Sequence, residues 1–175
     1  LVRRSYHAPT QVTVLSASSK TGIGLAQGLA DEQNPPRIVG LTAQKNVSFV
    51  RDLGCYNQVL SYDDIDKLDL DLRSVVVDMS GNKKLLGSLN TILGDQLMKC
   101  LTVGMTHWDQ VDVGEGFPAQ PISNDKTELF FDSARIQNRI GDWGRAGYQQ
   151  RTEAFMKARG KQSRDWMNVK EIFGL

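Results

Sequence analysis

The stretch Ser74-Val75-Val76-Val77-Asp78-Met79 constrains the fold more than any other part of the chain. Side chains along a strand alternate between two faces, so an unbroken valine run needs apolar cover on both. Sheets with cover on both faces are those whose parallel strands are joined by crossover helices. The rest of the sequence supplies that alternation. Strand-like runs at 12–16, 37–42, 58–61, 74–79, 97–105 and 128–131 alternate with helical patterns at 22–30, 44–53 and 82–93, and helices at 133–140 and 145–159 follow. Ile23, Ala26, Leu29 and Ala30 share one helical face, and Leu85, Leu86, Leu89, Ile92 and Leu93 share another. Pro35 and Pro36 stop the first helix, while Gly54 and Gly94 are placed to end the other two. The expectation is an α/β fold with a doubly wound, mostly parallel sheet, helices on both faces and a C-terminal helical appendage.

Charge narrows the partners. With 21 Lys and Arg against 20 Asp and Glu, the net charge is +1, so bulk electrostatics calls for neither nucleic acid nor an anionic membrane. The Arg- and aromatic-rich segment 130–160 is interleaved with Asp132, Asp142 and Glu153, as in a packed helical appendage with a solvated side. No apolar run approaches the roughly 20 residues that span a bilayer. Cys55 and Cys100 lie far apart, without the spacing of a disulfide framework or a metal site, which reads as a reducing, cytoplasmic setting with no metal.

Residues 16–26 read SASSKTGIGLA, at the point where a strand passes into a helix. Dinucleotide-binding chains carry G-x-G-x-x-G here: the first Gly makes the tight turn, the second admits the pyrophosphate, and the third lets helix and strand pack. Laid on this stretch, the pattern puts Ser19, Thr21 and Gly24 at those positions, so only the third is a glycine. Yet a helix N-terminus presents unpaired N–H groups and partial positive charge. Ser18, Ser19 and Thr21 add hydroxyls and Lys20 a formal charge. The turn is not a phosphate-binding P-loop, because the glycines that motif requires around its Lys are missing. A short-chain dehydrogenase is disfavoured as well: its Tyr-x-x-x-Lys relay is absent, with Lys67 five positions after Tyr62.

Several motifs together resemble the medium-chain dehydrogenase/reductase superfamily, in its zinc-free quinone-oxidoreductase-like branch. Members carry a turn like A-A-G-G-V-G-L, a strand ending G-T with x-x-K after it, a helix running to L-G-A, and V-I-x-Y. This chain reads Ser19-Lys20-Thr21-Gly22-Ile23-Gly24-Leu25, then Gly40-Leu41-Thr42-Ala43-Gln44-Lys45, Leu53-Gly54-Cys55 and Val59-Leu60-Ser61-Tyr62. Asp78-Met79-Ser80-Gly81 stands where the branch has D-x-x-G. The likeness covers residues 11–106. More narrowly, SASSKTGIGLA, DLGCY, VDMSGN, GDQL, VGMTHWD and DWGRAGYQQR resemble a set of functionally uncharacterised relatives of that superfamily.

The resemblance implies a Rossmann-type dinucleotide-binding domain over 11–132 and a C-terminal helical extension over 133–175. Residues 1–10 would connect to a preceding catalytic half, in keeping with a chain that opens on Leu1. It implies NADP(H) as cofactor, no metal, and a site built from Ser19, Lys20, Thr21, Gly22, Ile23, Thr42, Lys45, Tyr62, Ser80 and Gly104. The residues after the second strand agree with NADP. Thr42, Gln44, Lys45 and Asn46 offer hydroxyl, amide and ammonium groups, and no carboxylate appears before Asp52. His107, in VGMTHWD at the end of the fifth strand, is the catalytic candidate as general acid or orienting donor, without an identified partner. Asp78, at the end of a buried strand, is placed either to face the cofactor cleft or to cap the turn into Asn82, and the cap is the reading its type favours. The expected activity is hydride transfer from NADPH to a carbonyl or an activated alkene. Against it stand a cofactor-sensing or scaffold protein of the same fold, and an interaction domain that binds no nucleotide. Self-association into a homo-oligomer is compatible with each; the small-molecule substrate is not legible.

Overall fold

The computed structural model describes residues 9–103, 126–130 and 132–167. The chain divides into two units, Leu1–Phe130 and Phe131–Leu175. In the first, six strands form one sheet: β1 (Gln11–Leu15), β2 (Arg37–Thr42), β3 (Gln58–Ser61), β4 (Ser74–Asp78), β5 (Leu97–Val103) and β6 (Thr127–Phe130). Their order is β3-β2-β1-β4-β5-β6, and every pair is parallel, which completes the "mostly parallel" expectation. The helices are α1 (Lys20–Ala30), α2 (Val47–Asp52) and α3 (Lys83–Leu93).

The valine run behaves as its pattern requires. Val75 and Val77 join Val12, Val14, Ile38, Ala26 and Leu29 of α1 in one buried cluster. Val76 faces the other way, with Leu15, Val39, Leu41, Cys100 and Leu85, Leu89 and Leu93 of α3. The two crossover helices thus cover opposite faces of the β1–β4 pair. Each fully buried valine contributes about 1.5–3 kcal/mol of hydrophobic stabilisation.

Local signals set the boundaries. Ser19 caps α1 by accepting from the Gly22 N–H at 3.1 Å, so the helix begins two residues before the apolar pattern does. Asn82 caps α3 in the same way through Leu85 N–H at 3.0 Å. Gly94, at φ +48°, ends α3 in the left-handed region. The expected helix over 44–53 opens instead as a 3₁₀ turn over Gln44–Asn46, closed by Asn46 N–H donating to Ala43 O at 2.8 Å, with α2 behind it. Strand β1 stops at Leu15, because Ser16 adopts φ +55°.

The second unit contains α4 (Asp132–Ser163), broken at Gly144, whose φ of +69° and ψ of +161° no helix contains. The break falls between the two helices expected from sequence. Within this unit two guanidinium groups approach the Trp143 ring, Arg139 at 5.1 Å and Arg151 at 4.7 Å from its centroid. Arg139 also donates to Asp142 at 3.0 Å. Among the described residues no helix is long and apolar enough to cross a membrane.

Candidate functional site

In a doubly wound sheet the ligand crevice opens at the carboxyl ends of the strands, where the winding reverses direction. Here that point lies between β1 and β4. Its rim is made by two turns, 16–19 after β1 and 79–82 after β4.

The first turn achieves its geometry without the expected glycines. The left-handed residue is Ser16, not Ser19, and the Ser16 carbonyl accepts from Ser19 N–H at 2.8 Å. Ala17 N–H donates to Leu41 O at 3.1 Å, tying the turn to β2. The close helix–strand approach assigned to Gly24 falls on Gly22. A Cβ on Gly22 would lie 2.8 Å from Ser16 O and 3.0 Å from Ser19 Oγ, whereas one on Gly24 would meet nothing within 4 Å. Capping the helix at Ser19 brings its first turn down onto the Ser16 carbonyl, and Gly22 is the residue that passes over it.

Some residues of the turn are spent within the fold. Ser19 accepts from Gly22 N–H, and its own hydroxyl donates to Met79 Sδ at 4.0 Å, linking the two turns. Ile23 is 1 % exposed and its N–H donates to Ser19 O, so it belongs to the core. Lys20 and Thr21 are exposed at the start of α1, where first-turn N–H groups have no intrahelical acceptor.

At the end of β2 the Thr42 hydroxyl donates to Ser18 Oγ at 3.2 Å, and Asn46 Nδ2 donates to the same oxygen at 3.1 Å. Lys45 is exposed beside them. Tyr62, half-buried, packs on the α3-side core, and its N–H donates to Thr42 O at 3.0 Å. Tyr56 supports the turn from below: its phenol donates to Ala17 O at 3.0 Å, and its ring lies where a Cβ on Gly40 would come within 3.0 Å. Burial first, and then the neighbouring Cys55, pushes the Tyr56 phenol well above its usual range, so it stays a donor.

The second turn is organised by Asp78, 0 % exposed. Its Oδ1 accepts from Ser80 N–H at 2.7 Å, Ser80 Oγ at 2.6 Å and Gly81 N–H at 3.2 Å, and Ser80 Oγ in turn accepts from Asn82 N–H at 3.1 Å. Asp78 is therefore the cap its position implied, and the Ser80 hydroxyl expected at the cofactor is spent inside the turn. The other carboxylate oxygen, Oδ2, is buried without a partner. On β5 the Cys100 thiol is pushed up to about 12, chiefly by burial and then by the charge of Asp78, with a smaller opposing hydrogen bond to Thr102. It is a protonated core residue, not a nucleophile.

Gly104 and His107 lie outside the described residues. What sequence reading missed is the convergence of Ser18, Thr42 and Asn46. Each is a small polar residue in a loop or at a strand end, and nothing local signals that residues 28 positions apart meet.

A family model described as Protein of unknown function (DUF2855) matches residues 3–175, nearly the whole chain. The chain belongs to this family. No curated protein matches it.

Proposed function

We propose that the first unit binds a dinucleotide across the β1/β4 switch point, with NADP(H) preferred over NAD(H). The observation that supports it best is the β3-β2-β1-β4-β5-β6 order with a capped helix N-terminus at the reversal. In this reading the N–H groups at the start of α1, with Lys20 and Thr21, hold the pyrophosphate. Thr42, Lys45 and Tyr62 surround the adenosine ribose. The absence of any carboxylate between Thr42 and Asp52 favours a 2′-phosphate. The chemistry we assign is hydride transfer to a carbonyl or activated alkene in a medium-chain-reductase-like protein. The nicotinamide carries the hydride, and the protein orients it.

A second reading, a cofactor-sensing or scaffold protein, draws support from the serine and threonine that stand at glycine positions of the turn. NADPH oxidation with a panel of quinones, enals and aldehydes, by a protein that includes the catalytic half the resemblance implies, separates the two.

The binding reading is tested by calorimetric titration with NADPH and NADH. NADPH binds more tightly, and Lys45→Ala weakens it by about 1.5–3 kcal/mol, the loss typical of one charged hydrogen bond, with little effect on NADH. Thr21→Gly keeps the affinity, because the turn works through its backbone. Equal affinities in the starting protein would refute the NADP preference.

A further inference from the structure

Three side chains from separate stretches meet at the carboxyl end of β2: Ser18 from the β1–α1 turn, Thr42 from the last strand position, and Asn46 from the 3₁₀ turn. A hydroxyl has one proton and two lone pairs. Ser18 Oγ receives two hydrogen bonds, from Thr42 Oγ1 at 3.2 Å and Asn46 Nδ2 at 3.1 Å. Thr42 is 1 % exposed, so its proton has to be used inside the protein, and Ser18 is where it goes. With both lone pairs of Ser18 filled, its own proton is what remains to be given. No described residue accepts it, and Ser18 is half-buried, within reach of a solute. Three neutral side chains are thereby converted into one oriented donor. Lys45 stands exposed next to Asn46 in sequence, and the same corner holds no acid between Thr42 and Asp52.

We infer that Ser18, oriented by Thr42 and Asn46, selects the adenosine ribose by donating to an anionic 2′-substituent, a phosphate monoester. This rests on the dinucleotide-binding reading above. A carboxylate at this corner accepts from a 2′-hydroxyl and repels a phosphate. Ser18 offers the opposite, a proton that a phosphate oxygen takes in a charge-assisted hydrogen bond. Asn46 is the positioning residue. Its Nδ2 can only donate, which holds the serine lone pairs inward and the proton outward. Asn46→Asp would invert that arrangement: the new carboxylate draws the Ser18 proton to itself and adds a negative charge where the phosphate would sit. Neither residue touches a reacting atom.

The test is a titration of the full chain and three variants with NADPH and NADH, with far-UV circular dichroism and urea midpoints to verify folding. Ser18→Ala should weaken NADPH by about 10- to 100-fold, the equivalent of one charge-assisted hydrogen bond, and leave NADH unchanged. Ser18→Thr keeps the hydroxyl and should keep the preference. Asn46→Asp should reverse it. An equal loss for both nucleotides in Ser18→Ala would reduce the cluster to a brace for the turn and overturn the inference. So would an NADPH preference that survives both Ser18→Ala and Asn46→Asp, and in that case the dinucleotide reading stands. Failure of the unaltered chain to bind either nucleotide removes the dinucleotide reading, and this inference with it.

Discussion

Gly22→Val should lower folding stability by about 2–4 kcal/mol, whereas Gly24→Val should fold nearly as well as the starting protein. The two glycines lie two residues apart in the same helix, and by motif spacing Gly24 is the one expected to be indispensable. The geometry reverses that ranking. A side chain at Gly22 is driven into the Ser16 carbonyl and the Ser19 hydroxyl, one a backbone atom that cannot yield without reopening the turn. Overpacking of this kind costs about 1–3 kcal/mol in a pliable core. Here it also displaces the cap of α1, adding about 1 kcal/mol. At Gly24 the space is open, so Gly24→Ala should raise stability by about 0.5–1 kcal/mol through helix propensity alone. Urea unfolding followed by circular dichroism measures both. A Gly22→Val protein as stable as the starting one, or a Gly24→Ala protein that unfolds, would show that the turn is built otherwise.

Asp78→Ala should cost about 3 kcal/mol or more, because Ser80 N–H, Ser80 Oγ and Gly81 N–H lose their common acceptor at once. Asp78→Asn keeps an acceptor oxygen and should cost clearly less, about 1 kcal/mol. The difference matters because Oδ2 makes no hydrogen bond: the burial of the group is compensated through one oxygen only. Chemical denaturation of the two variants gives the comparison. Equal destabilisation by both would mean that the charge, and not the acceptor geometry, holds the turn.

These cases mark where sequence was sufficient. The valine run, the apolar faces of α1 and α3 and the glycine at the end of α3 are local patterns, and local patterns determine which segments are helices and strands. Parallel pairing follows from them nearly as directly, because strands joined by crossover helices run parallel; the strand order does not, since more than one doubly wound order obeys the same rules. The residues of the crevice were legible only as candidates. Ser16 carries a left-handed backbone that serine adopts at a cost and that no motif announces. The packing role moved from Gly24 to Gly22 because the helix starts at Lys20, a boundary set by one serine cap. Ser80 has the size and hydroxyl of a ligand contact, but its bonds to Asp78 use it within the turn. Spacing in sequence states which groups exist; which protons remain unspent depends on partners dozens of residues away.

The pairing of β1 with β4 also has a consequence for how the chain is made. Gln11 and Ser74 hydrogen-bond across 63 positions, and from there the two innermost strands pair in register to Val14 and Val77. The β1–β2–β3 half of the sheet is therefore complete in sequence while one side of its first strand still lacks a neighbour. That side is an open row of backbone donors and acceptors until β4 arrives. Closing so long a loop is entropically slow. Until β4 pairs there, that edge is open to other chains, and the three-valine strand that closes it has itself the composition of a pairing-prone segment.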